Sequence, residues 1–162
     1  MIKPRYLILL IFLITSCNEG LQPPPPVEKS YITGLITYVN GKDNWPPPDS
    51  VIDIRVAAFK NYPPMDIITE ITNGNAFFTE TLPQFVDTSS YFLEIPEPPV
   101  TIEYLVVAQQ YGTLFEWLSI GVWTLSGDNT KPSSITIEPG KIYTGLNIIV
   151  DFNHLPPQPF EK

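Results

Sequence analysis

The sequence predicts an all-β protein, folded as a single antiparallel Greek-key β-sandwich over residues 31–153. Apolar and polar residues alternate with period two along many short segments, as they do in strands with one buried face. The chain has 19 prolines, and they cluster between those segments, where a residue without an N–H interrupts no ladder. No ten-residue stretch has the apolar spacing of an amphipathic helix. These three observations together favour a sandwich of eight or nine strands.

The clearest single strand lies at 51–59, where Ile54, Val56 and Ala58 alternate with Asp53 and Arg55. The turn signal Asn73-Gly74-Asn75 predicts a hairpin. Its two strands are predicted at 67–72 and 76–82, and the remaining strands at 31–39, 91–95, 102–108, 118–122, 135–137 and 144–152.

The N-terminus has the layout of a secretory signal. Lys3 and Arg5 precede an apolar run at 6–14, and small residues follow it. The run is about half of the roughly 20 residues that a membrane-spanning helix needs, so the sequence predicts cleavage rather than a transmembrane anchor.

The residues Ile14-Thr15-Ser16-Cys17 resemble the lipobox of bacterial lipoproteins. The resemblance implies that Cys17 receives a diacylglycerol thioether, that residues 1–16 are removed, and that the new amine is acylated. Two or more lipid chains hold a soluble domain stably on a membrane. The alternative is an ordinary secreted protein in which Cys17, the single cysteine of the chain, is incidental.

Proline-rich segments flank the predicted domain on both sides. Residues 17–30 contain Pro23-Pro24-Pro25-Pro26, which favours an extended polyproline II tether between the lipid and the domain. Residues 154–162 are also broken by prolines, and we expect this tail to fray.

Charge and residue usage exclude several classes of function. Removal of residues 1–16 leaves seven basic and seventeen acidic side chains, a formal charge of −10. This balance argues against nucleic acid as a partner and against electrostatic docking on anionic lipid. The only histidine is His154, in the tail, so a Ser–His or Cys–His centre and a zinc site are not expected.

The remaining candidates for chemistry are carboxylates and oxygen-rich loops. Asp53, Glu94 and Glu103 have outward strand parity, so we expect them to be solvated. A hydrolase would need two acids facing each other across a cleft. The loops at 41–44 and 126–130 lack the spaced acids of a calcium loop. The sequence therefore predicts no enzyme activity, no metal and no cofactor.

Aromatic residues give the one candidate binding patch. If Leu118, Ile120 and Val122 face the core, Trp117 and Trp123 face outward with Ser119 and Gly121 between them; Tyr111, Phe115 and Trp45 are predicted in loops and would extend the patch. Such residues serve protein partners or sugar rings. Packing into the core or over a neighbouring strand is the alternative, and a separation of about 20 Å between the two tryptophans is too long for one monosaccharide.

The domain also resembles transthyretin-like, or carboxypeptidase-regulatory-like, modules. The resemblance rests on the first strand Ile32-Thr33-Gly34-Leu35-Ile36, on Tyr91-Phe92-Leu93-Glu94-Ile95 and on the closing segment Ile148-Ile149-Val150-Asp151-Phe152. The chain departs from the family between Phe78 and Tyr91 and at residues 110–125. Such modules are mostly accessory, so the resemblance implies a noncatalytic role.

Together these observations predict a membrane-anchored, noncatalytic lipoprotein of the bacterial cell envelope that acts as a protein-interaction or structural module. A glycan-binding surface lipoprotein is the alternative. Asn18 follows Cys17 where an inner-membrane retention signal has aspartate, which favours the outer membrane.

Overall fold

The computed structural model describes residue 26 and residues 28–159. The predicted signal peptide, the lipobox at Ile14, Thr15 and Ser16, the lipidation site Cys17 and nearly all of the proline tether therefore lie outside the described residues. The predictions about them remain predictions.

Ten strands and one short α-helix follow one another along the described chain. The strands are β1 (Ser30–Tyr38), β2 (Asp53–Phe59), β3 (Ala76–Phe78), β4 (Thr88–Ile95), β5 (Val100–Ile102), β6 (Tyr104–Gln110), β7 (Trp117–Val122), β8 (Ile135–Ile137), β9 (Ile142–Tyr143) and β10 (Ile148–Val150). The helix α1 (Ile67–Thr72) lies between β2 and β3, and 3₁₀ turns occupy Gly41–Asn44 and Pro48–Ser50.

The strands form two main sheets and one small ribbon. The first sheet has the order β10-β1-β4, with β9 also paired to β1, and the second has the order β3-β2-β6-β7. The ribbon pairs β5 with β8. All ladders are antiparallel except the two short ones that join β1 to β9 and to β10. The predicted all-β sandwich is confirmed.

The main core lies between the two sheets. Ile32, Leu93 and Ile148 from the first sheet pack with Ile54 and Val107 from the second, and each is at most 1% exposed. Removing this much apolar surface from water is the main stabilising contribution to a domain of this size.

The second sheet is apolar on its outer face as well. Ala57, Phe59, Tyr104, Val106 and Val122 form a separate buried cluster there. The central strands β2 and β6 are consequently buried on both faces, in contrast to the half-buried strands that the alternation predicts. The elements that cover this apolar outer face therefore form part of the molecular surface.

The predicted strand at 67–72 is wrong, because these residues form α1. Asp66 adopts an extended conformation and accepts a hydrogen bond from the Thr69 N–H (2.9 Å), which caps the helix at its N-terminus. Behind it, the buried carboxylate of Glu70 accepts hydrogen bonds from the Met65 N–H and from Asn61 Nδ2. The local turn chemistry of Asp66 thus overrides the strand preference of β-branched residues.

The expectation of a frayed tail fails for the described residues 154–159. Pro156 is buried, and the side-chain amide of Gln158 hydrogen-bonds the main chain of Ser119 in β7. We call residues 154–159 the C-terminal strap.

Candidate functional site

A cavity of about 310 Å³ opens on the outer face of the second sheet. We call it the outer groove. Its floor consists of outward-facing side chains of β2, β6 and β7, and its walls are α1 on one side and the loop at 111–116 on the other. The residues that line it are Asp53, Arg55, Ala57, Phe59, Ile67, Ile68, Ile71, Phe78, Tyr104, Val106, Ala108, Gln110, Leu114, Phe115, Trp117, Leu118 and Ser119.

Side chains of nearby residues hold the loop at 111–116 in place through hydrogen bonds to its main chain. Glu116 Oε2 accepts from the Thr113 N–H (2.6 Å), and Gln110 Nε2 donates to the Thr113 carbonyl (3.0 Å). Trp117 Nε1 donates to the Leu114 carbonyl (2.8 Å). These contacts fix a loop that presents Leu114 and Phe115 to solvent.

The few polar groups of the outer groove are mostly paired with one another. Arg55 Nε donates to Asp53 Oδ2 (2.6 Å), and the Tyr104 and Ser119 hydroxyls are hydrogen-bonded (3.0 Å). Asp53 is only 8% exposed, so its predicted solvation is wrong. It lies in the lining of the outer groove, paired with Arg55. Its Oδ1 has no hydrogen-bond partner within the described chain.

A second cavity, of about 320 Å³, adjoins the outer groove. This side pocket shares Ile67, Ile68, Phe115, Trp117 and Leu118 with the groove, and adds Asp66, Tyr111, Glu116 and Gln158. No lysine or arginine lines it among the described residues. Two hydrogen bonds lower the pKa of Glu116. The larger effect comes from the main chain of Thr113 and the smaller from its side chain. This carboxylate is therefore ionised at neutral pH.

Large apolar side chains surround the opening. Leu114 is 69% exposed and Phe115 59% exposed, and Ile68 and Ile71 are also more than half exposed. Single exposed apolar residues are ordinary, but several around one cavity indicate a surface that another molecule covers.

The structure brings together two of the four predicted patch residues. Trp117 and Tyr111 both line the side pocket. Trp117 is partly buried and Tyr111 is exposed, as predicted for residues that face outward. Phe115, which the prediction added as an extension, lies between the two cavities.

The predicted outward orientation of Trp123 is wrong, because Trp123 is 7% exposed and packs in the main core. The cause is a β-bulge. Val107 pairs with Gly121 while Ala108 pairs with Ser119, so Ile120 is an extra residue in β7. One extra residue reverses the parity of everything after it, and Val122 faces outward in its place.

Trp45 lies outside the patch and has a structural role. Its Nε1 donates to the Val86 carbonyl (3.0 Å), and its ring lies 4.4 Å from that of Tyr38 and 5.1 Å from that of Phe152. It packs against the main core, which is the packing alternative considered for the aromatic residues.

The described residues contain no group of three or more His, Cys, Asp or Glu side chains placed to hold a metal ion. His154 pairs with Asp151 (2.9 Å) on the surface, which lowers the pKa of Asp151. Within the same part of the chain, no helix is long and apolar enough to cross a membrane.

Sequence patterns contained one unused signal for the outer groove. Val56-Ala57-Ala58-Phe59 and Leu105-Val106-Val107-Ala108 are continuous apolar runs, which indicate strands buried on both faces. Simple alternation places only one face of each of these two strands in the core. The second apolar face is the floor of the groove.

Comparisons of the chain with family models, with curated proteins and with solved structures find no match. The assignment of a function therefore depends on the groove and the pattern of the sequence.

Proposed function

We propose that this chain is a noncatalytic protein-interaction module of the bacterial cell envelope, held on a membrane by lipid on Cys17. The observation that carries the proposal is the outer groove, an apolar cavity surrounded by exposed apolar side chains. Protein interfaces place a large side chain of one partner in such a cavity and surround it with weaker contacts that exclude water.

The size and chemistry of the groove favour binding over catalysis. Its polar groups are few, and the Asp53–Arg55 pair and the Tyr104–Ser119 pair are already hydrogen-bonded within the fold. A catalytic site needs titratable groups that converge on one reacting atom. An apolar cavity with little free polar chemistry serves to hold an apolar group.

The anchor is supported by the layout of the N-terminus. A charged start, a short apolar run and a small-residue motif precede the single cysteine. The outer membrane is the proposed location, because asparagine rather than aspartate follows Cys17.

Glycan binding is the second candidate, supported by the side pocket. Trp117 and Tyr111 lie there beside the polar side chains of Glu116 and Gln158, and sugars are held by aromatic rings with hydrogen-bonding neighbours. A glycan array probed with the wild-type protein and with Trp117→Ala tests it. A sugar that binds only the wild type would favour this candidate.

Site-specific photo-crosslinking in intact cells tests the leading proposal. A benzophenone amino acid replaces Leu114 at the groove, and in a matched control it replaces Phe92, which is 57% exposed on the first sheet. We expect one defined envelope protein to be captured from position 114 and not from position 92. Equal capture from both positions, or capture from position 92 alone, contradicts the proposed surface.

A further inference from the structure

One edge of the second sheet is covered by a side chain instead of by a strand. β7 is an edge strand, paired with β6 on one side only. On its other side, the Ser119 N–H donates to Gln158 Oε1 (2.8 Å), and the Ser119 carbonyl accepts from Gln158 Nε2 (2.9 Å). The amide of Gln158 therefore makes the two hydrogen bonds that the N–H and C=O of one residue in a neighbouring antiparallel strand would make.

The C-terminal strap does not itself extend the sheet. Three of its six residues are proline, and proline has no N–H to donate to a ladder. In an antiparallel ladder alternate residues point their main-chain groups away from the partner strand, so Trp117 directs its groups to the same edge as Ser119. The edge can thus accept more peptide groups than the strap supplies.

This edge is continuous with both cavities. Trp117 and Leu118 line the outer groove and the side pocket, Ser119 lines the groove, and Gln158 lines the side pocket. A segment paired to β7 would place alternate side chains on the groove side of the sheet, since successive residues of a strand point to opposite faces.

The charge of the side pocket indicates the flanking chemistry of such a segment. Glu116 lies in its wall, and no lysine or arginine among the described residues lines it. A partner that places lysine or arginine there gains complementary charge, which favours encounter and orientation.

We propose that β7 binds an extended segment of a partner protein by strand addition. The segment displaces the C-terminal strap, places an apolar side chain in the outer groove, and places a basic side chain against Glu116. The inference rests on the proposed function and specifies its partner. This mode obtains affinity from main-chain hydrogen bonds and specificity from side-chain pockets.

Competition with the strap makes the proposal testable. The probes are three end-capped seven-residue peptides: alternating valine and lysine, alternating valine and glutamate, and the valine–lysine peptide with proline at its centre. Binding is measured by calorimetry with the chain as isolated from cells, in lipid nanodiscs where it carries a lipid. Exchange of the Ser119 amide with solvent, followed by NMR, reports the edge directly.

We expect the valine–lysine peptide to bind, and Gln158→Ala to tighten it about tenfold, because the competing pair of hydrogen bonds is gone. The Ser119 amide of that variant should exchange faster, and the peptide should restore its protection. Ala108→Phe, which fills the groove beside Ser119, and Phe115→Ser, which alters only its rim, should both weaken binding.

The variant Glu116→Gln keeps a hydrogen-bond acceptor for the Thr113 N–H and removes the charge. It should lower affinity for the valine–lysine peptide about fivefold and reduce the dependence on salt. Glu97→Gln, an exposed acid remote from the side pocket, is the matched control and should change neither.

Two outcomes overturn the inference: no peptide binds Gln158→Ala, or the proline-containing peptide binds as well as its parent. Failure here is distinct from failure of the proposed function. If crosslinking from position 114 captures an envelope protein while the strand peptides fail, the module binds through the groove without strand addition.

Discussion

The hydroxyl groups of buried tyrosines differ in whether the fold satisfies them. Tyr91 donates to the Leu146 carbonyl (2.7 Å), whereas the hydroxyl of Tyr38 is buried without a partner in the described chain. A buried polar group without a hydrogen bond costs about 1–3 kcal/mol, and a satisfied one contributes about 1 kcal/mol. The same substitution, tyrosine to phenylalanine, should therefore affect the stability differently at the two positions.

We predict that Tyr91→Phe lowers the free energy of unfolding by about 1–2 kcal/mol, while Tyr38→Phe leaves it unchanged or raises it. Urea unfolding of both variants beside the wild type measures the difference. A loss of stability in Tyr38→Phe as large as that in Tyr91→Phe would mean that the Tyr38 hydroxyl is hydrogen-bonded after all.

Burial also makes the stability depend on alkaline pH. Burial raises the pKa of Tyr104 to about 12, although the hydrogen bond between Tyr104 and Ser119 acts in the opposite direction. Burial raises the pKa of Tyr38 and of Tyr91 further. In the unfolded chain these groups ionise near pH 10. The folded state then holds more protons between these values, so its stability is complete below about pH 10 and falls as pH rises towards 12.

We predict that three of the seven tyrosines that remain after removal of residues 1–16 do not ionise until the protein unfolds. Absorbance at the phenolate band, followed together with circular dichroism in an alkaline titration, measures this. Tyr104→Phe should make the loss of stability between about pH 10 and 12 less steep. Ionisation of all seven at ordinary pKa values in a folded protein would contradict the burial.

At the scale of the element, the bulge in β7 assigns different roles to two tryptophans that simple alternation treats alike. Trp123 packs in the main core, and Trp117 lies in the wall of the groove. We predict that Trp123→Ala costs about 3–5 kcal/mol of stability, as truncation of a buried aromatic residue does. Trp117→Ala should cost less than half of that and should weaken partner binding instead. Thermal unfolding and the crosslinking experiment measure the two effects, and equal destabilisation would contradict the parity change.

Sequence alternation located most strands because the first sheet and the inner face of the second obey it. It could not locate the bulge, because the extra residue depends on the neighbouring strand: a Cβ on Gly121 would lie 2.8 Å from the Ile149 carbonyl oxygen of β10. Only a glycine fits where these strands approach. Such long-range contacts leave no local pattern.

The helix α1 was predictable in part. Aspartate is one of the residue types that favour the N-cap position, and Asp66 accepts the hydrogen bond from the Thr69 N–H. The strand prediction did not use this cap signal. The position of α1 over the second sheet was not predictable, since it follows from tertiary packing. Trp117 and Tyr111 of the candidate patch lie at one cavity, whereas Trp123 lies in the main core. The role of the patch in binding stays a prediction, and simple alternation did not indicate the groove beside it.

At the scale of the whole molecule, the two apolar faces of the second sheet have different roles: the inner face stabilises the fold, and the outer face carries the proposed binding surface. The inner face belongs to the main core and holds the sandwich together, while the outer face is only partly covered by α1, the loop at 111–116 and the strap. Regions with few buried contacts open most readily. The binding surface that we propose therefore lies in a region that can open locally while the main core stays folded.

The proposed lipid anchor assigns the location of the whole molecule to one side chain, that of Cys17, which lies beyond the described residues. We predict that Cys17→Ser moves the protein from the membrane fraction to the soluble fraction or leaves an uncleaved precursor, because two or more acyl chains are needed for a stable anchor. Cell fractionation, with intact mass measured on the membrane form, tests this. Ser16→Ala keeps a small residue before the cysteine and should leave the protein on the membrane. A Cys17→Ser protein that remains membrane-bound at its mature length would show that something other than a lipid on this cysteine holds it there.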